Sequence, residues 1–206
     1  MKQAIVIQAR TGSKRFNKKI LKKIDKSNVL EFLIKKLSKY FKKNEIVVAT
    51  TNNNSDLKIC NIAKLNNVLF FQGSENDLVN RYYNCAKKFD ISTIIRITSD
   101  CPLVDPKLIK KMLKIFKKQK LDYFSNTCPP HKSKFPDGSD IEIFSFKAIK
   151  KLEKLKQNKS DREHIYGFWK KNKIFKSKIL NRKKNISNFK FSLDYSTDLK
   201  LIKEIL

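Results

Sequence analysis

The chain has 206 residues, with 47 lysines and arginines against 19 aspartates and glutamates for a formal net charge of +28, and this length suits one domain with a substantial core. A hydrophobic fraction of 40% excludes a disordered chain, and no run approaches the roughly 20 apolar residues that span a bilayer. The amino terminus enters a strand pattern directly, without a signal-peptide pattern, so a cytoplasmic protein with no membrane partner is expected. Cys60, Cys85, Cys101 and Cys128 fall into no zinc or thioredoxin spacing and read as core or free thiols in a reducing compartment. The positive charge is lysine spread along every expected helix face (Lys35, Lys36, Lys39, Lys110, Lys111, Lys114, Lys117, Lys118, Lys150, Lys151). That pattern reads as compositional bias, so no specific nucleic-acid partner is expected. Arginine is sparse, at Arg10, Arg15, Arg81, Arg96, Arg162 and Arg182, which suggests placement for two-pronged contacts that lysine cannot make.

In chain order, Ala4-Ile5-Val6-Ile7 is an apolar run of the kind buried on both faces of a parallel sheet. A polar loop holding Arg10, Gly12, Ser13, Lys14, Arg15, Lys18 and Lys19 follows. Helical periodicity predicts a helix over 28–41, capped by Ser27 or Asn28. A strand is expected over 45–50, a helix from Ser55 to about Leu65, and a strand over 68–71. Gly73-Ser74 is read as the cap of a helix reaching Phe89; a strand over 92–98 follows, and Asp105-Pro106 opens another helix. This alternation predicts right-handed βαβ units: an α/β, three-layer, Rossmann-like fold on a mostly parallel sheet. Beyond Ser125 the pattern loosens. An irregular stretch over 128–136 leads to a turn at Asp137-Gly138 and a strand over 140–144. Helices at about 146–156 and 161–171, short strands over 175–179 and 189–193, and a final helix capped by Ser196 complete the chain. The second half reads as an α+β lobe inserted over the sheet, acting as a lid and substrate wall.

Ligands of open α/β sheets gather at the carboxyl ends of strands, and the first basic loop emerges there. Gly12 allows a close backbone approach to phosphate; Arg10 and Arg15 can each grip phosphate oxygens, and Lys19 adds a point charge. An ordinary surface loop of a lysine-rich protein fits the same residues. Asp100 ends the strand over 92–98, where it could hold Mg²⁺ or simply enter a helix ahead of Pro102. Asp194 follows another short apolar run, where a helix cap is the alternative. Asp77 and Arg81, one helical turn apart, could form an ion pair. Thr50 and Asn52 offer polar partners at a strand end.

Several of these strings resemble a known family. Ala9-Arg10-Thr11-Gly12-Ser13-Lys14-Arg15, with Lys19 and Leu21 behind, is similar to the first motif of the cytidylyltransferases that activate sugar acids. These are the CMP-KDO synthetases, the acylneuraminate cytidylyltransferases and, most similar, the spore-coat polysaccharide cytidylyltransferase family. Phe16-Asn17-Lys18 departs from the leucine-proline-glycine type turn usual there. The strings over 73–83, 96–106 and 136–145, and Asp161-Arg162-Glu163-His164, resemble further motifs in the family's order. The string over 191–199 does so with Ser196 in place of the usual proline.

The resemblance implies the nucleotide-diphospho-sugar transferase (GT-A-like) type of sheet in a single domain. Residues 1–127 would form the nucleotide-binding half, 128–190 an inserted acceptor or lid lobe, and 191–206 the return to the sheet. It implies transfer of CMP from CTP to the hydroxyl of a nonulosonate- or KDO-like sugar acid, with release of pyrophosphate, for surface polysaccharide. Catalysis would rest on Arg10, Lys19 and Asp100, with Mg²⁺ on Asp100 and Asp194. The nucleotide would meet Ala9, Arg10, Gly12, Ser13, Arg15, Lys19, Thr50, Asn52, Ser74, Asp77, Arg81 and Thr98. The acceptor would meet Asp137, Asp140, Glu142, Arg162 and His164, and two copies would dimerise through the inserted lobe. A glycosyltransferase or sugar-1-phosphate nucleotidyltransferase on the same sheet, or a basic nucleic-acid-binding protein, are the alternatives.

Overall fold

The computed structural model describes residues 2–13, 15–165, 167–170 and 173–206, so Lys14 of the first motif lies outside the described residues. Its first half runs β1 (Gln3–Gln8), β2 (Lys23–Ile24), β3 (Ser27–Asn28), α1 (Val29–Ser38), β4 (Ile46–Thr51), α2 (Leu57–Leu65), β5 (Leu69–Gly73), α3 (Leu78–Lys88), β6 (Thr93–Thr98) and α4 (Pro106–Gln119). The second half runs β7 (Tyr123–Ser125), β8 (Glu142–Ser145), α5 (Phe146–Lys154), α6 (Lys159–His164), α7 (Gly167–Lys170), β9 (Ser177–Ile179) and α8 (Ser196–Ile205). Among the described residues, seven strands form one sheet in the order β5-β4-β1-β6-β8-β7-β9. All run parallel except β8, which is antiparallel to both neighbours. β8 and β9, from the stretch expected as an inserted lobe, thus extend the main sheet.

The period-2 alternation of β1 divides the core. Ile5 and Ile7 pack on one face with Leu30, Leu33 and Leu37 of α1, Ile59 of α2 and Ile109, Met112 and Phe116 of α4. Ala4 and Val6 face the other way, onto Leu78, Val79 and Tyr82 of α3, Ile149 and Leu152 of α5 and Phe168 of α7. Both layers are closed to solvent, and each fully buried Leu, Ile or Phe contributes about 2 kcal/mol over exposure. Helix starts follow side-chain chemistry: Asn28, Asp77, Asp105 and Ser145 each accept a backbone N–H from the first turn of the helix that follows.

Several boundaries differ from the sequence reading. α3 is capped by Asp77 and not Ser74, whose hydroxyl instead accepts the Asp77 N–H at 3.0 Å. The helix expected over 161–171 is two pieces, because Ile165 adopts φ 57° between them. β2 and β3 form a small hairpin that the polar residues around them concealed. The stretch over 189–193 is not a strand: its only bridge to the fold's strand-like segments, among the described residues, joins Lys190 to Asp137. Asp194 therefore does not end a sheet strand. At α8 the Ser196 cap is absent, and Asp198 accepts the N–H groups of Asp194 and Tyr195, both at 2.8 Å.

The route to Asp194 is nevertheless closely held. Leu193 and Ile202 of α8 pack with Ile24 and Val29 in a third apolar cluster beside the hairpin. The Leu193 N–H donates to the Asp100 carbonyl at 2.8 Å, and the Phe191 N–H to the Asp137 carbonyl at 2.7 Å. Gly138, at φ 90°, lies so close to this passing chain that an added Cβ would stand 2.2 Å from the Ser192 nitrogen. Both the backbone angle and the space demand glycine. Gly138→Ala is expected to lower stability by about 2–4 kcal/mol in urea denaturation, and a change below about 0.5 kcal/mol would mean that the 191–194 segment is not held there.

Candidate active site

The site is built on the carboxyl end of β1. The Ala9 N–H still reaches the Ala49 carbonyl at 3.1 Å, after which the chain leaves the sheet. A buried carboxylate fixes its exit. Asp56 Oδ1 accepts the Thr11 N–H at 2.8 Å and the Thr11 hydroxyl at 2.6 Å, and Oδ2 accepts the Thr51 hydroxyl at 2.5 Å. Further along, Lys18 takes a left-handed φ of 51° and Ile20 is buried, which seats Lys19 at the start of a short turn with its side chain in the site.

Lys19 Nζ lies 2.6 Å from Asp100 Oδ2 and 3.0 Å from Asp194 Oδ1. Arg15 Nη2 reaches the same Asp194 oxygen at 2.7 Å, and Lys190 stands 3.5 Å from the other. Burial favours the neutral form of Asp100, but the Lys19 charge and hydrogen bond, with the Thr98 hydroxyl, outweigh it and hold the carboxyl below its ordinary value. Burial likewise works against a charged Lys19, yet Asp100 and Asp194 raise its pKa above the usual lysine value. Asp100 and Lys19 therefore form a charged pair throughout the neutral range, with Asp194 Oδ1 on the other side of the ammonium.

Two adjoining cavities open on this triad. The larger, about 630 Å³, is lined by Arg10, Gly12, Ser13, Arg15, Lys19, Thr98 and Asp100 from the expected set. The Arg10 guanidinium is only loosely engaged, 3.6 Å from Glu75, and a Cβ on Gly12 would meet nothing nearer than Glu75 Oε1 at 3.7 Å. Gly12 thus leaves room at the cavity wall without needing a left-handed backbone. The smaller cavity, about 260 Å³, is lined by Arg15, Thr98, Asp100, Asp137, Asp140, Glu142 and Asp194. His164 borders both cavities. Burial raises the pKa of Asp140 despite hydrogen bonds from the Thr127 hydroxyl and the Gly138 N–H. Glu142 is held by the Tyr123 hydroxyl at 2.5 Å and by the Arg96 guanidinium.

Other expected residues lie outside these cavity walls. Ala9 and Thr50 are buried, and Asn52 is exposed at the end of β4. Ser74 and Asp77 shape the start of α3, and the Asp77 carboxylate pairs with Arg162 at 2.7 Å and not with Arg81. Arg81 is 1% exposed, and its Nε and Nη1 have no hydrogen-bond partner among the described residues. Burial, aided by Arg10 and Arg96, lowers its pKa. Arg81 shares a helical face with Leu78, Tyr82 and Cys85, a spacing that signals burial. Sequence reasoning passed over Gln8, Glu75, Asn76, Ser99 and Glu163 on the larger cavity and Arg96 on the smaller one. Gln8 and Ser99 carry a usable signal, since each closes or follows a central strand at its carboxyl end.

All four cysteines are free thiols, and burial pushes Cys85 up to about 12. Among the described residues no helix is long and apolar enough to cross a membrane, and no group of three or more His, Cys, Asp or Glu side chains is arranged to hold a metal ion. The converging carboxylates of Asp100 and Asp194 still fit a magnesium-like ion, which takes one or two carboxylates and completes its shell with water and phosphate oxygens.

Comparison with known proteins agrees with this fold. A cytidylyltransferase from Leptospira borgpetersenii serovar Hardjo-bovis superposes with a TM-score of 0.92 at 34% identity, over 98% of this chain and 85% of that one. The spore coat polysaccharide biosynthesis protein SpsF of Bacillus subtilis is 30% identical over an alignment of 122 residues that covers 57% of this chain and 51% of its own. A CMP:2-keto-3-deoxy-manno-octonic acid synthetase complexed with CTP shares the fold, with a TM-score of 0.75 at 13% identity over 100% of this chain and 98% of that one. The family model described as cytidylyltransferase matches residues 4–205. With its basic first loop, its paired acids and this full-length match, the chain belongs to the cytidylyltransferase family.

Proposed function

We propose that the protein transfers CMP from CTP to the hydroxyl of a sugar acid, releasing pyrophosphate, as a step in making a surface polysaccharide. The observation that carries this reading is the position of Lys19 between Asp100 and Asp194, on a cavity that Arg10 and Arg15 also line. The CTP complex of the CMP:2-keto-3-deoxy-manno-octonic acid synthetase supports the nucleotide, and the relation to the spore coat polysaccharide protein supports the pathway class.

On this reading the triphosphate enters the larger cavity, drawn by Arg10, Arg15 and Lys19. Gly12 and Ser13 form its wall, and Lys19, kept protonated by its two acids, remains a cation while charge develops on the leaving pyrophosphate. The acceptor occupies the smaller cavity, whose shared residues Arg15, Thr98, Asp100 and His164 adjoin the nucleotide's. That adjacency supports in-line attack of the acceptor oxygen on the α-phosphorus. Asp100 and Asp194 would hold Mg²⁺, which when bound neutralises phosphate charge and polarises the phosphoryl group under attack. Asp137 and Asp140 would contact acceptor hydroxyls. Two copies are proposed to form a homodimer.

Pyrophosphate release should require CTP, a divalent cation and a sugar acid together, and CTP consumption without a sugar-acid requirement would contradict the reading. Lys19→Ala is expected to cut turnover by about 100-fold or more, with activity near wild type as the contrary result. A pH series supplies a second test. A carboxylate whose pKa is lowered on folding contributes stability that is complete above the ordinary carboxylate range and lost as pH falls through the lowered value. A lysine whose pKa is raised contributes stability that is complete below the ordinary lysine range and lost as pH rises through the raised value. The melting-temperature difference between wild type and Asp100→Asn should therefore be flat across neutral pH and change only at the acid and alkaline extremes. A difference that titrates near neutrality would contradict the charged Lys19–Asp100 pair.

A further inference from the structure

The larger cavity is bordered by two segments far apart in the chain. The turn between β5 and α3 supplies Glu75 and Asn76, and α6 supplies Glu163 and His164. α6 is a six-residue helix, too short to hold its place by its own hydrogen bonds. Its amino end is capped by Asn158, whose Oδ1 accepts the Asp161 N–H at 2.7 Å, and its carboxyl end stops at Ile165, buried in the core with a left-handed φ. Between these points the Arg162 side chain ties it to the β5–α3 turn. Arg162 donates to Asp77 Oδ2 through Nε at 2.8 Å, and Nη2 lies 2.7 Å from the same oxygen. Its Nη1 donates to the Glu153 carbonyl at 3.2 Å, and Nη2 stands 3.7 Å from the Glu153 carboxylate, which adds α5 to the contact.

The other half of this contact is equally fixed. Asp77 Oδ1 accepts the Asn80 N–H at 2.9 Å and caps α3, and the Asp77 N–H is held by the Ser74 hydroxyl. The two Asp77 oxygens therefore have separate tasks, one within the turn and one toward α6. The side chains of Arg162 and Asp77 are 20% and 31% exposed, so solvent and salt screen the pair less than an open surface bridge.

We infer that Asp77 and Arg162 are positioning residues, a clasp that fixes the Glu75–Asn76 turn and the Glu163–His164 segment relative to each other on the rim of the nucleotide cavity. Neither side chain lines that cavity; each acts through the neighbours it places. The inference rests on the proposed binding of CTP there and adds the elements that close on it. Because the clasp joins segments on the cavity's rim, its loss should appear in the KM for CTP before it appears in global stability.

Asp77→Asn separates the two tasks, since asparagine caps a helix as well as aspartate but carries no charge for Arg162. Steady-state kinetics with CTP and the best acceptor, together with thermal melts, are measured for wild type, Asp77→Asn, Arg162→Met, Arg162→Lys, the double variant Asp77→Asn/Arg162→Met, and Glu163→Ala/His164→Ala with and without Arg162→Met. The expected result is a rise of about tenfold in KM for CTP in Asp77→Asn and Arg162→Met, with less change in kcat and melting temperatures within a few degrees of wild type. Arg162→Lys should fall between, and the Asp77/Arg162 double variant should be no worse than either single one. In the background lacking the Glu163 and His164 side chains, Arg162→Met should add less than about twofold. KM values within twofold of wild type in Asp77→Asn and Arg162→Met would overturn the clasp, as would an Arg162→Met effect that persists in full without Glu163 and His164. If Arg162→Met fails to fold, Asp77→Asn decides alone by the same criteria. Calorimetric titration of wild type with Mg²⁺ and CTP separates the two readings, because absence of binding there contradicts the nucleotide site itself.

Discussion

The structure turns on one ammonium held between two carboxylates. Unit charges about 4 Å apart interact by about 4 kcal/mol at an effective dielectric near 20, so two acids brought together without a cation would repel strongly. Lys19 resolves this by sitting within 3.0 Å of an oxygen from each. The arrangement is also one that a nucleotide can use. On the proposed function, an incoming polyphosphate would meet a fixed cation with Arg10 and Arg15 beside it, and the two acids would be left to hold a divalent ion.

Holding this triad together falls to backbone contacts more than to the sheet itself. Asp100 follows β6 after one residue, Ser99, whose N–H bonds the Gln8 carbonyl of β1. Asp194 arrives from the far end of the chain and is aligned by the Leu193 N–H on the Asp100 carbonyl, by the burial of Leu193 and Ile202, and by the close passage at Gly138. Lys19 is placed by the Asp56 carboxylate that anchors Thr11 and by the burial of Ile20. The acids and the lysine are thus fixed by three independent devices, which is how a site can be pre-organised without bound substrate.

Much of this was legible in the sequence because it depends on local patterns. The strand runs at 4–7 and 92–98, the helix expected over 28–41 and found at 29–38, the helix opened by Asp105-Pro106, and the polar residues that follow β1 and β6 all report through periodicity and position. What escaped the reading depends on contacts across the chain. Asp77 and Arg81 stand one turn apart and invite a pair, yet Arg81 turns into the core and Asp77 reaches Arg162, 85 residues away. The break at Ile165 is also invisible locally, since a β-branched residue is among the least expected in a left-handed conformation and is held there by packing. The stretch at 189–193 looked like a strand because Phe189, Phe191 and Leu193 alternate; in the structure only Leu193 of these is fully buried, while Phe189 and Phe191 stack on each other.

The most direct test of the central claim is a crystal structure of the protein grown with CTP, Mg²⁺ and no acceptor. The account predicts triphosphate density along Gly12, Ser13 and Lys19, with the ion between the phosphates and the carboxylates of Asp100 and Asp194. Nucleotide density anywhere that leaves the Lys19 triad untouched would contradict it.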